Sequence, residues 1–151
     1  MNGERIRPNG KEKMTENSVK NIPHPQEMVY RVLSDLNNLE IVVNRFAENE
    51  INNLEYTDET VSFSIPGVGV VIFRIVEKEP EREIKFVSDN SFIPLSLAVL
   101  IEQVDEFSST LTLSISADIN MIMAGMIRKP LKEGVEKLAQ VLAQIPYNTI
   151  Q

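Results

Sequence analysis

Few side chains in this sequence have the chemical capacity to do more than pack. The single histidine, His24, stands between Pro23 and Pro25. One histidine and no cysteine exclude a thiol nucleophile, a disulfide and any multi-histidine or thiolate metal site. No catalytic set, metal or cofactor is nominated. His24 falls at a strand-to-helix junction, where it is expected to cap the helix or face solvent. Pro66-Gly67-Val68-Gly69 has two glycines but no helix behind them to set a phosphate at its amino end, so it reads as a hairpin turn. Asp35, Arg74, Tyr30 and Asp118 remain as groups able to anchor a substrate or move a proton inside a pocket. Asp118 falls on the expected outer face of its strand. Arg74 needs a partner if it points inward, and the outward, solvated reading is simpler. Tyr30 and Tyr56 offer hydroxyls, although amphipathic packing is the commoner use of tyrosine.

The apolar residues say more. Met121, Met123 and Met126 cluster near the front of the last apolar-periodic segment. Methionine adapts to irregular shapes, which suits a cavity mouth with changing occupants as well as it suits a core. Phe63, Phe73, Phe86, Phe92, Leu113, Met123, Met126, Ile127 and Leu131 are the expected lining of an apolar interior.

A 151-residue chain fits one domain. Its composition, 42% hydrophobic and 25% charged, is that of a globular protein able to bury a core without a staple. The net charge is −7, and the first thirteen residues carry four basic against two acidic side chains, which leaves −9 on the rest. That field repels nucleic acid and anionic membranes unless a local basic patch overcomes it. The longest apolar runs fall far short of the ~20 residues of a membrane helix, and the N-terminus has no apolar signal segment. Stable membrane insertion is therefore not expected, the cytoplasm is the default address, and a homodimer is left open.

Residues 1–13 hold one branched apolar side chain, Ile6, and read as a flexible leader to a single domain over 14–146, with 147–151 as a short tail. Thr15–Pro23 reads as a first strand. Val29, Val32, Leu33 and Leu36 recur at helical spacing behind Pro25, giving a helix of about Pro25–Leu36, and a second short helix follows over Leu39–Phe46. The period then changes to two. Val61, Phe63 and Ile65 alternate with polar neighbours, Val68–Lys78 makes a long strand, and Ile84 and Phe86 belong to the next. Leu95–Val104 is nearly all apolar, as in a strand covered on both faces or lining a closed interior. Thr110–Asp118 alternates strictly. Strands joined by short turns without intervening helices make an antiparallel meander. A last helix over Met121–Ile145 carries one apolar stripe, and Pro130 inside it predicts a bend or break. Gly125 and Gly134 are expected to ease its packing on the sheet.

This order of elements resembles the helix-grip fold, in which a curved antiparallel sheet of six to seven strands wraps a long C-terminal helix in an α+β domain. It is the fold of START-related lipid-transfer domains, polyketide cyclase-like proteins and birch-pollen-allergen-like proteins, the SRPBCC-type superfamily. Ile22-Pro23-His24-Pro25-Gln26-Glu27-Met28-Val29-Tyr30 and Leu33-Ser34-Asp35-Leu36-Asn37-Asn38-Leu39 are similar to the superfamily's strand-to-helix entry. Phe73-Arg74-Ile75-Val76 through Pro80, then Ile84-Lys85-Phe86, resemble its central hairpin. Gly125-Met126-Ile127-Arg128-Lys129-Pro130-Leu131, followed by Gly134, is similar to the start of the last helix in small bacterial members. The resemblance covers about Thr15–Ile145 and consists of fold signatures, none of them catalytic.

The resemblance implies binding or carriage of a small hydrophobic or lipid-like molecule between sheet and helix. Two alternatives stay open: a cyclase- or aromatase-like enzyme acting on a hydrophobic substrate, and a protein–protein interaction module with a filled core.

Overall fold

A computed structural model describes residues 5–6, 11–40, 53–89 and 93–150. The strands are β1 (Arg5–Ile6), β2 (Lys11–Ile22), β3 (Glu55–Tyr56), β4 (Thr60–Ile65), β5 (Gly69–Glu79), β6 (Glu83–Ser88), β7 (Leu95–Asp105) and β8 (Ser108–Asn120). Helix α1 (Gln26–Leu33) and a 3-10 turn, η1 (Leu36–Asn38), follow β2. The long helix α2 (Met121–Ala143) and a second 3-10 turn, η2 (Tyr147–Thr149), end the chain. All strand pairs are antiparallel, in the order β1-β2-β8-β7-β6-β5-β4-β3. Six long strands form the body of the sheet, and the two-residue β1 and β3 sit at its edges. This is the expected helix-grip architecture.

The period-two segments bury the residues their alternation selects. In β8, Leu111, Leu113, Ile115, Ala117 and Ile119 point inward and are buried, while Thr110, Thr112, Ser114 and Ser116 stay half-exposed. The sheet bends at two bulges, where the register shifts between Ile75 and Glu77 and between Gln103 and Asp105. The extra residues are Val76 and Val104, and both are exposed. Each bulge adds local twist, which lets a sheet of this width curl around one helix. α2 packs across β2, β8 and β4.

Several expectations need correction. β2 begins at Lys11 rather than Thr15, pairing Lys11–Lys13 with Asp118–Asn120, and Arg5–Ile6 pairs in turn with Glu12–Lys13. Part of the supposed leader therefore extends the sheet, because ladder hydrogen bonds do not need apolar side chains. β7 is covered on one face only: Leu95, Leu97, Val99 and Ile101 are buried, and Ser96 is exposed. Leu39 and Glu40 are helical, but the rest of the helix expected over Leu39–Phe46 lies outside the described residues. Two residues of the supposed tail belong to the core. Tyr147 is fully buried, Ile150 is buried, and the Tyr147 hydroxyl donates to the Leu142 carbonyl at 2.6 Å.

α2 runs unbroken through Pro130. Proline removes the amide that would bond the Met126 carbonyl. Met126 faces solvent, so water can take that bond and no break is forced. Neither Gly125 nor Gly134 has any atom within 4 Å of where a Cβ would sit, so close approach to the sheet does not explain them. Gly134→Ala is accordingly expected to raise stability by about 0.5–1 kcal/mol, the helix-propensity difference, read as a higher urea midpoint at unchanged slope.

α2 is tied to the sheet by polar contacts as well as apolar ones. Glu136 reaches down to β2, accepting from Lys20 Nζ and from Ser18 Oγ, each at 2.5 Å. Arg128 lies 3.9 Å from Glu16 on the same strand. The Lys20 hydrogen bond, with help from Ser18, holds the Glu136 carboxyl below the ordinary glutamate range. A carboxyl whose folded pKa is depressed stabilises above its unfolded pKa, and that stabilisation is lost as pH falls through the folded value. Urea midpoints should therefore fall as pH drops below about 4.5, and Glu136→Gln should flatten that decline.

Candidate functional site: an apolar cleft under the helix

The inward faces of the central strands, the rear half of α2 and the α1–η1 segment enclose a cleft of about 50 Å³. Leu33, Leu36 and Leu39 form one wall, Leu138 and Leu142 of α2 another, and Val61, Ile84, Phe86, Leu97, Val99 and Leu113 the floor. Every described lining side chain is apolar. A smaller void of about 10 Å³ lies under the middle of α2, beside Phe63, Ile65, Leu131 and Gly134. Amphipathic α1 builds the first wall by burying Val29, Val32 and Leu33. It starts at Pro25, which needs no amide at a helix entry, and stops at Ser34. Asp35 then caps η1 by accepting from the Asn37 amide at 3.1 Å, which turns Leu36 inward.

The residues expected to line the interior divide sharply. Phe86 and Leu113 border the larger void, and Phe63 and Leu131 the smaller. Phe73 is fully buried and stacks on Phe63, centroids 5.5 Å apart, but it packs in the core away from both voids. Ile127 is buried beneath α2, also away from both voids, and Met123 is half-buried. Met126 is 72% exposed and cannot line an interior. Met121 and Met126 lie on the solvent side of the helical wheel, and none of the three methionines borders either void. Phe92 lies outside the described residues. Selection by aromaticity missed the aliphatic walls Leu33, Leu36, Leu39, Leu138 and Leu142, whose only signal was helical spacing.

The candidate polar groups do not converge on the cleft. Arg74 faces outward, with its guanidinium on Asp89 at 2.7 Å and on Glu59 at 3.1 Å. Asp89 and then Glu59 raise the Arg74 pKa, and Arg74 in turn lowers that of Asp89. Asp118 borders an open outer-face depression of about 290 Å³ with Lys13, Ser88, Ser96 and Ser116. Tyr30 is half-buried, and desolvation raises its pKa. Tyr56 is half-buried on an edge strand. His24 does not cap α1, whose N-cap is Pro25 with no side-chain bond. Its ring meets Tyr147 edge-on at 5.8 Å, and its carbonyl accepts from buried Ser109 at 2.9 Å. Among the described residues, no group of three or more histidines, cysteines or carboxylates is placed to hold a metal ion, and no helix is long and apolar enough to cross a membrane.

No protein-family model matches the sequence, and neither does any curated protein. Solved structures do match. Norcoclaurine synthase from Thalictrum flavum, in complex with dopamine and hydroxybenzaldehyde, aligns at a TM-score of 0.75 and 8% identity, over 94% of this chain and 91% of that one. A START superfamily protein from Mycobacterium smegmatis aligns at 0.63 and 15% identity, covering 85% and 94%. The Zhui aromatase/cyclase from Streptomyces sp. R1128 aligns at 0.63 and 13% identity, covering 87% and 93%. The chain shares the fold of these proteins, a curved antiparallel sheet gripping one long C-terminal helix.

Proposed function

We propose that the protein binds a small hydrophobic or lipid-like molecule in the cleft between α1–η1 and the rear of α2. The observation that carries this reading is a void, apolar in all its described lining, where helix, sheet and connecting turn meet. Three proteins of the same fold support it by their own descriptions: a synthase with two aromatic ligands bound, a START protein and an aromatase/cyclase. At about 50 Å³ the void holds only part of a ligand, since small-molecule pockets usually span ~300–1,000 Å³. Binding therefore requires α1–η1 to shift from α2, and the ligand selects the opened state at a cost in affinity. A cyclase-like role draws less support, because the described lining of the cleft carries no ionisable side chain to move protons.

The small volume also favours a second reading, a filled core with function on the surface. Native mass spectrometry of gently purified protein, together with thermal shifts against a medium-chain fatty acid, separates the two. The proposed function predicts a one-to-one adduct and a raised Tm, both weakened by Leu39→Phe at the cleft rim. No adduct, with a Tm indifferent to apolar compounds, would leave the filled-core reading standing.

A further inference from the structure

The solvent face of the first half of α2 gathers large apolar side chains ahead of a run of lysines. Met121, Ile122 and Met126 are 60%, 80% and 72% exposed, and helical spacing puts them on one side of the helix together with Gly125, Lys129 and Lys132. Lys129 and Lys132 are exposed as well. The helix carries four cations, Arg128, Lys129, Lys132 and Lys137, against Glu133 and Glu136, a net +2 on a chain of −7. Glu136 is already engaged by Lys20. Lys132 and Lys137 make no ion pair among the described residues, Lys129 lies 4.0 Å from Glu133, and the three lysines line an open groove of about 670 Å³ beside β2 together with Glu133 and Glu136. Exposed Phe107, by contrast, sits beside Asp105 and Glu106 in the β7–β8 turn. On α2, three large exposed apolar side chains stand together and are followed by positive charge.

From this arrangement we infer that the outer face of α2 docks reversibly on an anionic lipid surface, with Met121, Ile122 and Met126 entering the headgroup layer and the lysines meeting lipid phosphates. A helix with an apolar tip and lysines alongside is the composition that lies in a membrane interface. Three side chains are too few for a stable copy-to-copy contact, which needs roughly 800 Å² on each partner. The acidic remainder of the chain limits the attachment, so it is weak and salt-sensitive. This inference is independent of the cleft and holds whether or not the cleft takes a ligand.

Flotation of the full chain with vesicles tests it. Binding is expected to equimolar phosphatidylglycerol and phosphatidylcholine, and not to phosphatidylcholine alone. Lys129→Gln and Lys132→Gln should each weaken it roughly five-fold, from the attraction of one basic residue near such a surface. The double variant Ile122→Asp, Met126→Asp should weaken it by about ten-fold or more with unchanged circular dichroism, since both side chains are exposed. Phe107→Asp should change nothing. Absence of binding to the anionic vesicles would overturn the inference, as would binding that survives the double aspartate variant. Capture of polyglutamate in place of vesicles would assign the face to an acidic protein partner instead.

Discussion

Phe73→Ala is expected to destabilise the protein by about 3–5 kcal/mol, the usual cost of truncating a buried phenylalanine. Domains of this kind are stable by only ~5–15 kcal/mol, so much of the variant should be unfolded at moderate temperature. Phe73 has no solvent exposure, stacks on Phe63 with ring planes 26° apart, and lies opposite Val61 in the β4–β5 ladder. Its removal leaves a hole beneath a sheet whose curvature depends on the bulge at Val76, so collapse is resisted and the cost falls toward the upper part of that range. Chemical denaturation should show a lower midpoint. Phe73→Leu, which keeps most of the volume, should recover more than half of the loss.

Tyr147→Ala should cost a similar ~3–5 kcal/mol, although the residue lies beyond the last long helix. Its ring is fully buried against His24, and its hydroxyl satisfies the Leu142 carbonyl at the end of α2. Tyr147→Phe keeps the ring and loses that bond, leaving a buried acceptor, for about 1–3 kcal/mol. Burial also pushes the Tyr147 phenol well above its ordinary value of 10.0. The unfolded chain ionises first as pH rises, so stability is intact below pH 10.0 and falls above it. Tyr147→Phe should remove that alkaline decline as well as lower the baseline.

These two residues show what the sequence made legible. Phe73 lies in a strand whose alternation declares its inward face, and β8 is written just as clearly in Leu111, Leu113 and Ile115. The sheet and its grip on one long helix were readable because burial on one face imposes a period of two on strands and 3.6 on helices. Tyr147 was not readable. It follows Pro146, outside any periodic segment, and only the fold brings it under α1. Pro130 removes one hydrogen bond of α2 as its chemistry requires, yet does not break the helix, because the turn it frees at Met126 lies on the exposed side. For the cleft, Met126 was selected by residue type, whereas wheel position and the end of the helix over the α1–η1 wall decided which side chains line it. Leu138 and Leu142 looked like ordinary core in the sequence. Their place beside a void depends on how Leu33, Leu36 and Leu39 fold back after η1, a long-range packing outcome without a local signature.

The binding claim rests on those leucines, and methyl NMR of leucine-labelled protein titrated with a medium-chain fatty acid addresses it most directly. The account predicts saturable shifts of the Leu36, Leu39, Leu138 and Leu142 methyls, with Leu100 on the outward face of β7 left unmoved. Saturation without movement of those four, or shifts confined to the outer face of the sheet, would contradict it.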